Sequence, residues 1–160
     1  MKILLVNKYF NMHGGSETYF FGLADLLRQA GHEVIFFAMQ DEKNLPCEQS
    51  AYFVSNVEFN GKLTATQKLK AAFRMVYSFE AKKKISALIE KEKPDIIHIN
   101  LFHRVLTASI VDAAKRHGIP VVFTMHDLNC VCPNHVMLDH GKICEACLHG
   151  NYWNLSLIHI

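Results

Sequence analysis

No stretch of this sequence is an uncharged apolar run long enough to span a bilayer, which excludes a membrane-crossing helix. The amino terminus lacks the apolar core and small-residue cleavage site of a secretory signal. Its single lysine and short apolar run serve better as a first strand. An excess of one charge is also missing. Lys and Arg number 17 against 15 Asp and Glu, and a formal net charge of +2 is too weak to argue for nucleic acid. There is no internal repeat and no low-complexity linker. Neither G-x-G-x-x-G nor the Lys-Ser/Thr of a nucleotide triphosphatase loop occurs, which weakens a dinucleotide or ATPase reading. Five cysteines, an odd number, in a chain without a signal suggest free thiols or metal ligands before disulfides. The protein reads as cytosolic.

What is present is enough apolar material for one domain with a real core. Half of the 160 residues are apolar, so disorder is not expected. The pattern alternates strand and helix. Lys2 to Asn7 reads as a buried strand and Thr18 to Ala30 as a helix with Phe20, Leu23, Ala24 and Leu27 on its apolar face. Gly31 reads as its C′ residue. Val34 to Ala38 is a second strand, Asp41 to Ser50 a loop, and Ala51 to Val54 a short third strand. Thr66 to Lys91 reads as helical, in two parts meeting near Ser78, and Lys93-Pro94-Asp95 stops it. Ile96 to Ile99 is a strand, Leu106 to His117 a helix closed by Gly118, and Val121 to Met125 a strand. Continuous apolar strands separated by helices predict an α/β fold: a Rossmann-like parallel sheet with helices on both faces.

In such sheets ligands bind beyond the carboxyl ends of the strands. Three ends stand out: His13 to Glu17, Asn100 to Arg104, and His126-Asp127. The first is the most informative. Gly14 and Gly15 let the backbone take positive φ and approach a ligand with no Cβ in the way. Ser16 is a plausible N-cap for the helix that follows. The unpaired amides of that helix and its positive dipole end form a phosphate site, unless the glycines make only a tight turn. His126 can donate to a sugar hydroxyl or phosphate or move a proton, or be satisfied by Asp127 alone. Cys130, Cys132, Cys144 and Cys147 place four thiols in one short segment, where they can hold zinc tetrahedrally or remain free cysteines in a loop. The basic stretch Lys62 to Lys93 carries Phe73, Met75, Val76, Tyr77 and Phe79. It can lie on an anionic membrane, or form a helix with a solvated charged face.

Gly14-Gly15-Ser16-Glu17, Pro94 to His98, and Thr124-x-His126-Asp127, in that order, resemble the N-terminal domain of GT-B glycosyltransferases. The likeness is greatest to family 4 of the retaining enzymes and runs from Met1 to about Trp153. Cys132-Pro133 to Cys147 is similar to a subgroup with a cysteine-rich insertion. The resemblance implies a domain at 1–129, an insertion at 130–154 and a non-native tail at 155–160. It implies that Gly14, Gly15 and Ser16 bind the donor diphosphate. By the same resemblance His126 stands beside the transferred sugar with Asp127 orienting it, and Asn100 and His103 face the acceptor by position. The implied reaction is hexosyl transfer with retention from a nucleotide sugar to a polysaccharide, glycolipid or similar acceptor. Catalysis needs no cofactor, and any zinc is structural. The expected setting is the cytoplasm, at the inner face of the membrane where the protein associates peripherally. The second domain, with paired glutamates for the donor, is not in this sequence, so the fragment is expected to be inactive. Leu155 to Ile160 match a translation of a transposon end used to tag DNA libraries, and the natural sequence is expected to continue differently after about Asn154. Two alternatives stand beside the transferase: a GT-B sugar-nucleotide epimerase and a non-catalytic zinc-binding interaction module. A membrane-surface adaptor is a third.

Overall fold

A computed structural model of the chain describes residues 1–56, 73–128, 132, 137–139 and 141–147. The chain falls into two compact units, Met1–Thr124 and Met125–Ile160.

The first unit is built on a parallel sheet. Its strands are β1 (Lys2–Val6), β2 (Glu33–Phe37), β3 (Ile96–Ile99) and β4 (Val121–Phe123), in the order β2-β1-β3-β4. Leu4 pairs with Ile35 on one side and Ile97 on the other, which fixes the register at the centre. Side chains of a strand alternate between faces, and this alternation sorts the core into two layers. Leu4, Val6, Ile35, Phe37, Ile97 and Ile99 pack against α2 (Phe79–Glu92) and α3 (Ser109–Arg116). Ile3, Leu5 and Phe36 pack against Phe20 and Ala24 of α1 (Gly15–Gln29). Phe10 joins that second layer, with its ring edge-on to those of Phe20, Phe21, Phe36 and Phe53 at 5.0–6.3 Å. The expected Rossmann-like sheet with helices on both faces is therefore present.

The ends of the elements carry most of the differences from expectation. Helix α1 starts three residues earlier than its apolar periodicity indicates. The Gly14 carbonyl already accepts from the Thr18 amide, and the Thr18 hydroxyl bonds the same oxygen. At its other end Gly31, at φ +83°, closes a Schellman motif, with Gly31 N donating to Arg28 O and His32 N to Leu27 O. Glu48–Tyr52 is a 3-10 helix rather than loop and strand, and beyond it Val54 makes a single bridge to Met39. Residues 73–76 are helical, and Ser78 N-caps α2 by accepting from Ala81 N. The expected helix from Thr66 therefore lies partly outside the described residues. Helix α3 begins after Leu106 because Thr107 takes φ +59°. There its hydroxyl accepts from the amides of Ser78 and Ser109, joining the starts of α2 and α3.

Among its described residues the second unit contains one antiparallel hairpin, β5 (Leu138–Asp139) with β6 (Lys142–Ile143), with Gly141 at φ +77°. Among the described residues no helix is long and apolar enough to cross a membrane.

Candidate functional site

The carboxyl edge of the sheet has a topological switch point. From β1 the chain crosses to β2 on one side, and its later part returns to β3 on the other. The loops after β1 and β3 diverge at that point, and a crevice between diverging loops is where such sheets take ligands. Residues 7–14 and 100–104 form its two lips.

Asn7, the first residue past β1, holds the lips together. Its side chain is fully buried. Nδ2 donates to Tyr9 O at 2.8 Å and to Glu17 Oε1 at 3.1 Å, while Oδ1 accepts from Leu101 N at 3.1 Å. One amide therefore connects the end of β1, the first turn of α1 and the loop after β3. Glu17 is 1% exposed. Its second oxygen accepts from Ser16 Oγ at 3.0 Å. The sequence gives Glu17 a place in a motif but no partner, and it gives Asn7 no role. A polar residue directly after the apolar run Ile3 to Val6 is the signal that could have found it.

The glycines do their work differently from expectation. Neither Gly14 nor Gly15 has positive φ. Gly14 is the N-cap at φ −168°, an extended conformation open to any residue, and Gly15 is the first helical residue. Ser16 is not the N-cap. It lies within the first turn, where its hydroxyl faces Glu17, and no side chain caps α1. A Cβ at Gly15 would meet nothing within 4 Å, and one at Gly14 would touch Glu17 Oε2 at 3.6 Å. The result is an exposed, uncapped helix N-terminus bare of side chains, with donor amides and a positive dipole end facing outward. Beside it the His13 ring stacks on Tyr9 at 4.5 Å, and Lys8 Nζ stands 4.6 Å from the centre of the Tyr9 ring. His13 directly precedes that terminus, and Lys8 stands over the ring on which His13 stacks. The sequence reading named neither for this purpose.

On the other lip His103 is half-buried, its ring 4.4 Å from Phe102 and 6.5 Å from Phe123. Asn100, the first residue past β3, is fully buried. At the end of β3, His98 Nε2 lies 2.8 Å from Thr124 Oγ1. His126 and Asp127 are half-buried and belong to the second unit. In that unit Cys132 is buried, and Cys144 and Cys147 are half-buried free thiols. Cys130 lies outside the described residues.

Two hollows among the described residues are lined by neither Gly14 nor Gly15. One, of about 470 Å³, is lined by Phe73, Arg74, Val76, Tyr77, Phe79 and Glu80. The other, of about 620 Å³, is lined by Gln40, Asp41, Glu42, Lys43, Ser55 and Asn56. Between them Glu80 accepts from Ser55 N at 2.9 Å, from Arg74 Nη2 at 2.5 Å and from Lys84 Nζ at 3.2 Å. Burial pushes its carboxyl up, but the bonds from Ser55, Lys84 and Arg74 outweigh burial and hold it below the usual glutamate range.

The family model described as Glycosyltransferase Family 4 matches residues 13–142. Among solved structures, MurG of Acinetobacter baumannii is similar at 16% identity with a TM-score of 0.51, over 98% of this chain and 39% of that one. The glycosyltransferase VinC, solved in complex with dTDP, is similar at 20% identity with a TM-score of 0.44, over 78% of this chain and 34% of that one. This chain thus spans well under half the length of either. The MurG likeness concerns the fold. No curated protein matches the chain.

Proposed function

Because the chain belongs to glycosyltransferase family 4, we propose that it is the acceptor-side domain of an enzyme that moves a hexosyl group, with retention, from a nucleotide sugar to a glycan or glycolipid. The observation that carries this reading is the uncapped N-terminus of α1 at the switch point. A nucleotide-sugar donor leaves as a nucleoside diphosphate, and negative charge develops on its phosphate oxygens. The amides of Gly14, Gly15 and Ser16 would donate to those oxygens in a fixed arrangement, with Lys8 adding positive charge and His13 a ring N–H donor. Gly15 carries no side chain to stand in the way.

In the same reading His126 stands beside the transferred sugar and Asp127 orients it. His103 meets the acceptor. Asn100, being buried, acts by shaping the loop it belongs to. Catalysis takes no metal. The other wall of the donor site belongs to a second domain of the whole enzyme, so this chain alone turns over little or no sugar. Incubation with UDP-, GDP- and ADP-sugars and a lipid or glycan acceptor tests this. Binding of a nucleoside diphosphate without turnover is the expected result, and robust transfer by this chain would overturn the fragment reading.

A specific surface favours a lipid-borne acceptor at the inner face of the cytoplasmic membrane. Phe73, Val76 and Phe79 are 69%, 77% and 78% exposed around the apolar hollow. Lys83, also exposed, follows on α2. Apolar side chains next to a basic helix suit an anionic lipid surface. Co-sedimentation with vesicles containing anionic lipid, lost when Lys82, Lys83 and Lys84 are neutralised together, is the expected outcome.

A further inference from the structure

We propose, on the reading of the α1 terminus as a diphosphate site, that Glu17 sets the charge preference of that site. Its buried carboxylate opposes the anion, so the site favours a sugar-capped diphosphate over the free nucleoside diphosphate left after transfer.

The first observation is a buried anion without a cation. Glu17 is 1% exposed. Both of its oxygens accept, Oε1 from Asn7 Nδ2 at 3.1 Å and Oε2 from Ser16 Oγ at 3.0 Å. Asn7 Oδ1 is committed to Leu101 N, so the end of Asn7 that faces Glu17 is the donor. Two accepting oxygens describe an ionised carboxylate. Among the described residues no salt bridge reaches it. Lys8 Nζ stands over the Tyr9 ring, and His13 stacks on that same ring. Neutral donors therefore hold the charge in place without cancelling it.

The second observation is where that charge stands. A Cβ on Gly14 would lie 3.6 Å from Glu17 Oε2, so the carboxylate sits against the first of the three residues whose amides would meet the phosphate. A glutamate in the first turn of a helix ordinarily complements the dipole, and in a capping box it accepts from the N-cap amide. The bonds of Glu17 go instead to the side chains of Asn7 and Ser16. The Ser16 hydroxyl thus directs its proton inward, and only the Ser16 amide is left to donate to a ligand. An interior charge this close is weakly screened, and every further negative charge on the ligand meets it as a like charge.

The chemistry of the ligand makes this a choice between donor and product. The diphosphate of a nucleotide sugar carries about two negative charges, and the free nucleoside diphosphate about three above pH 7. Transfer breaks the bond between the sugar carbon and the β-phosphate oxygen, and the electron pair stays on that oxygen. Glu17 offsets part of the stabilisation that the amides give to this charge, and in doing so it speeds release of the product, a step that often limits turnover.

The test uses the full chain at pH 8. The probes are UDP, GDP and ADP, each beside its β-methyl ester, which carries about one charge fewer and no sugar. Amide NMR titration reads site and affinity together. The parent is expected to bind each ester at least as tightly as the free diphosphate. Glu17→Gln keeps the size of the side chain, and its carbonyl can still accept from Asn7. It should bind the free diphosphate about tenfold more tightly than the parent and the ester with a smaller gain, which reverses the preference. Glu17→Asp keeps the charge and should not reverse it. A purely structural Glu17 gives the opposite sign, with Glu17→Gln binding equally or more weakly. Should Glu17→Gln fail to fold, the parent decides alone: tighter binding of the free diphosphate than of its ester would overturn the proposal. Shifts centred on Gly14, Gly15 and Ser16 with no reversal in folded Glu17→Gln would overturn the role of Glu17 and leave the diphosphate site standing. Shifts centred elsewhere in the parent would remove both.

Discussion

The amide of Asn7 donates to the carboxylate of Glu17 across 3.1 Å in the interior of the protein, with neither side chain reaching solvent. The same amide accepts from Leu101 N. The two lips of the crevice are thereby fixed through one residue. Removing either partner leaves the other with one buried polar atom unmatched, and such a loss costs about 1–3 kcal/mol, more when the group is charged. Asn7→Ala should therefore destabilise the chain by roughly 2–4 kcal/mol, since three hydrogen bonds go together. Glu17→Ala should cost less, because Asn7 keeps Tyr9 O and Leu101 N. Urea unfolding of both singles and the double mutant measures the coupling. A coupling within about 0.5 kcal/mol of zero would mean independent sites and would rule the strut out.

This strut marks how far the sequence could be read. The strands were legible because β1 and β2 carry the apolar runs Ile3 to Val6 and Val34 to Phe37, and β3 is apolar but for His98. The face of α1 was legible from Phe20, Ala24 and their neighbours. The short apolar run Ala51 to Val54 was not, because burial shows in the sequence but the choice between a strand and a 3-10 turn does not. The start of α3 was misplaced because Thr107 stands at φ +59° to hold the start of α2, a contact 29 residues away in sequence. The glycine loop stands between strand and helix as expected, but neither Gly14 nor Gly15 takes the positive φ expected of it. The partnership of Asn7 and Glu17 exists only once β1 and α1 are packed.

The Glu80 carboxylate gives a pH prediction. Its native pKa is depressed, so the unfolded chain takes up the proton first as pH falls. The stability it contributes is complete above the unfolded value of about 4.3 and is lost as pH drops through the lower native value. Glu80→Gln should thus be less stable than the parent at pH 7, with the gap closing below about pH 4. Urea midpoints across pH 3–7 check this (about one-unit steps suffice). A gap of constant size would mean that the charge on Glu80 contributes nothing.

Phe79 separates the membrane reading from folding. It is the first residue of α2 and 78% exposed, so Phe79→Glu should leave stability within about 0.5 kcal/mol. The same change puts a negative charge among Phe73, Val76 and Tyr77 at the hollow. Vesicle binding should fall at least tenfold if that surface enters lipid, at roughly 1.5–3 kcal/mol per buried aromatic. Binding that survives Phe79→Glu but disappears in high salt would point to the lysines alone.

Two glycine substitutions with opposite outcomes test the diphosphate site. Gly31 sits at φ +83°, where a Cβ is strained, so Gly31→Ala should cost about 1–2 kcal/mol and leave ligand binding unchanged. Gly15 is helical and faces open space, so Gly15→Ala should leave stability level or raise it by up to about 1 kcal/mol. If the diphosphate docks on the amides of the first turn as proposed, the added methyl intrudes on the open space it would enter. Titration of the parent and both variants with UDP, GDP and ADP, followed by amide NMR, reads both effects at once. Shifts in the parent should centre on Gly14, Gly15 and Ser16, persist in Gly31→Ala and weaken by about tenfold, or roughly 1.4 kcal/mol, in Gly15→Ala. Gly15→Ala that binds as well as the parent would take the diphosphate away from the α1 terminus, because no fold defect could then account for the result.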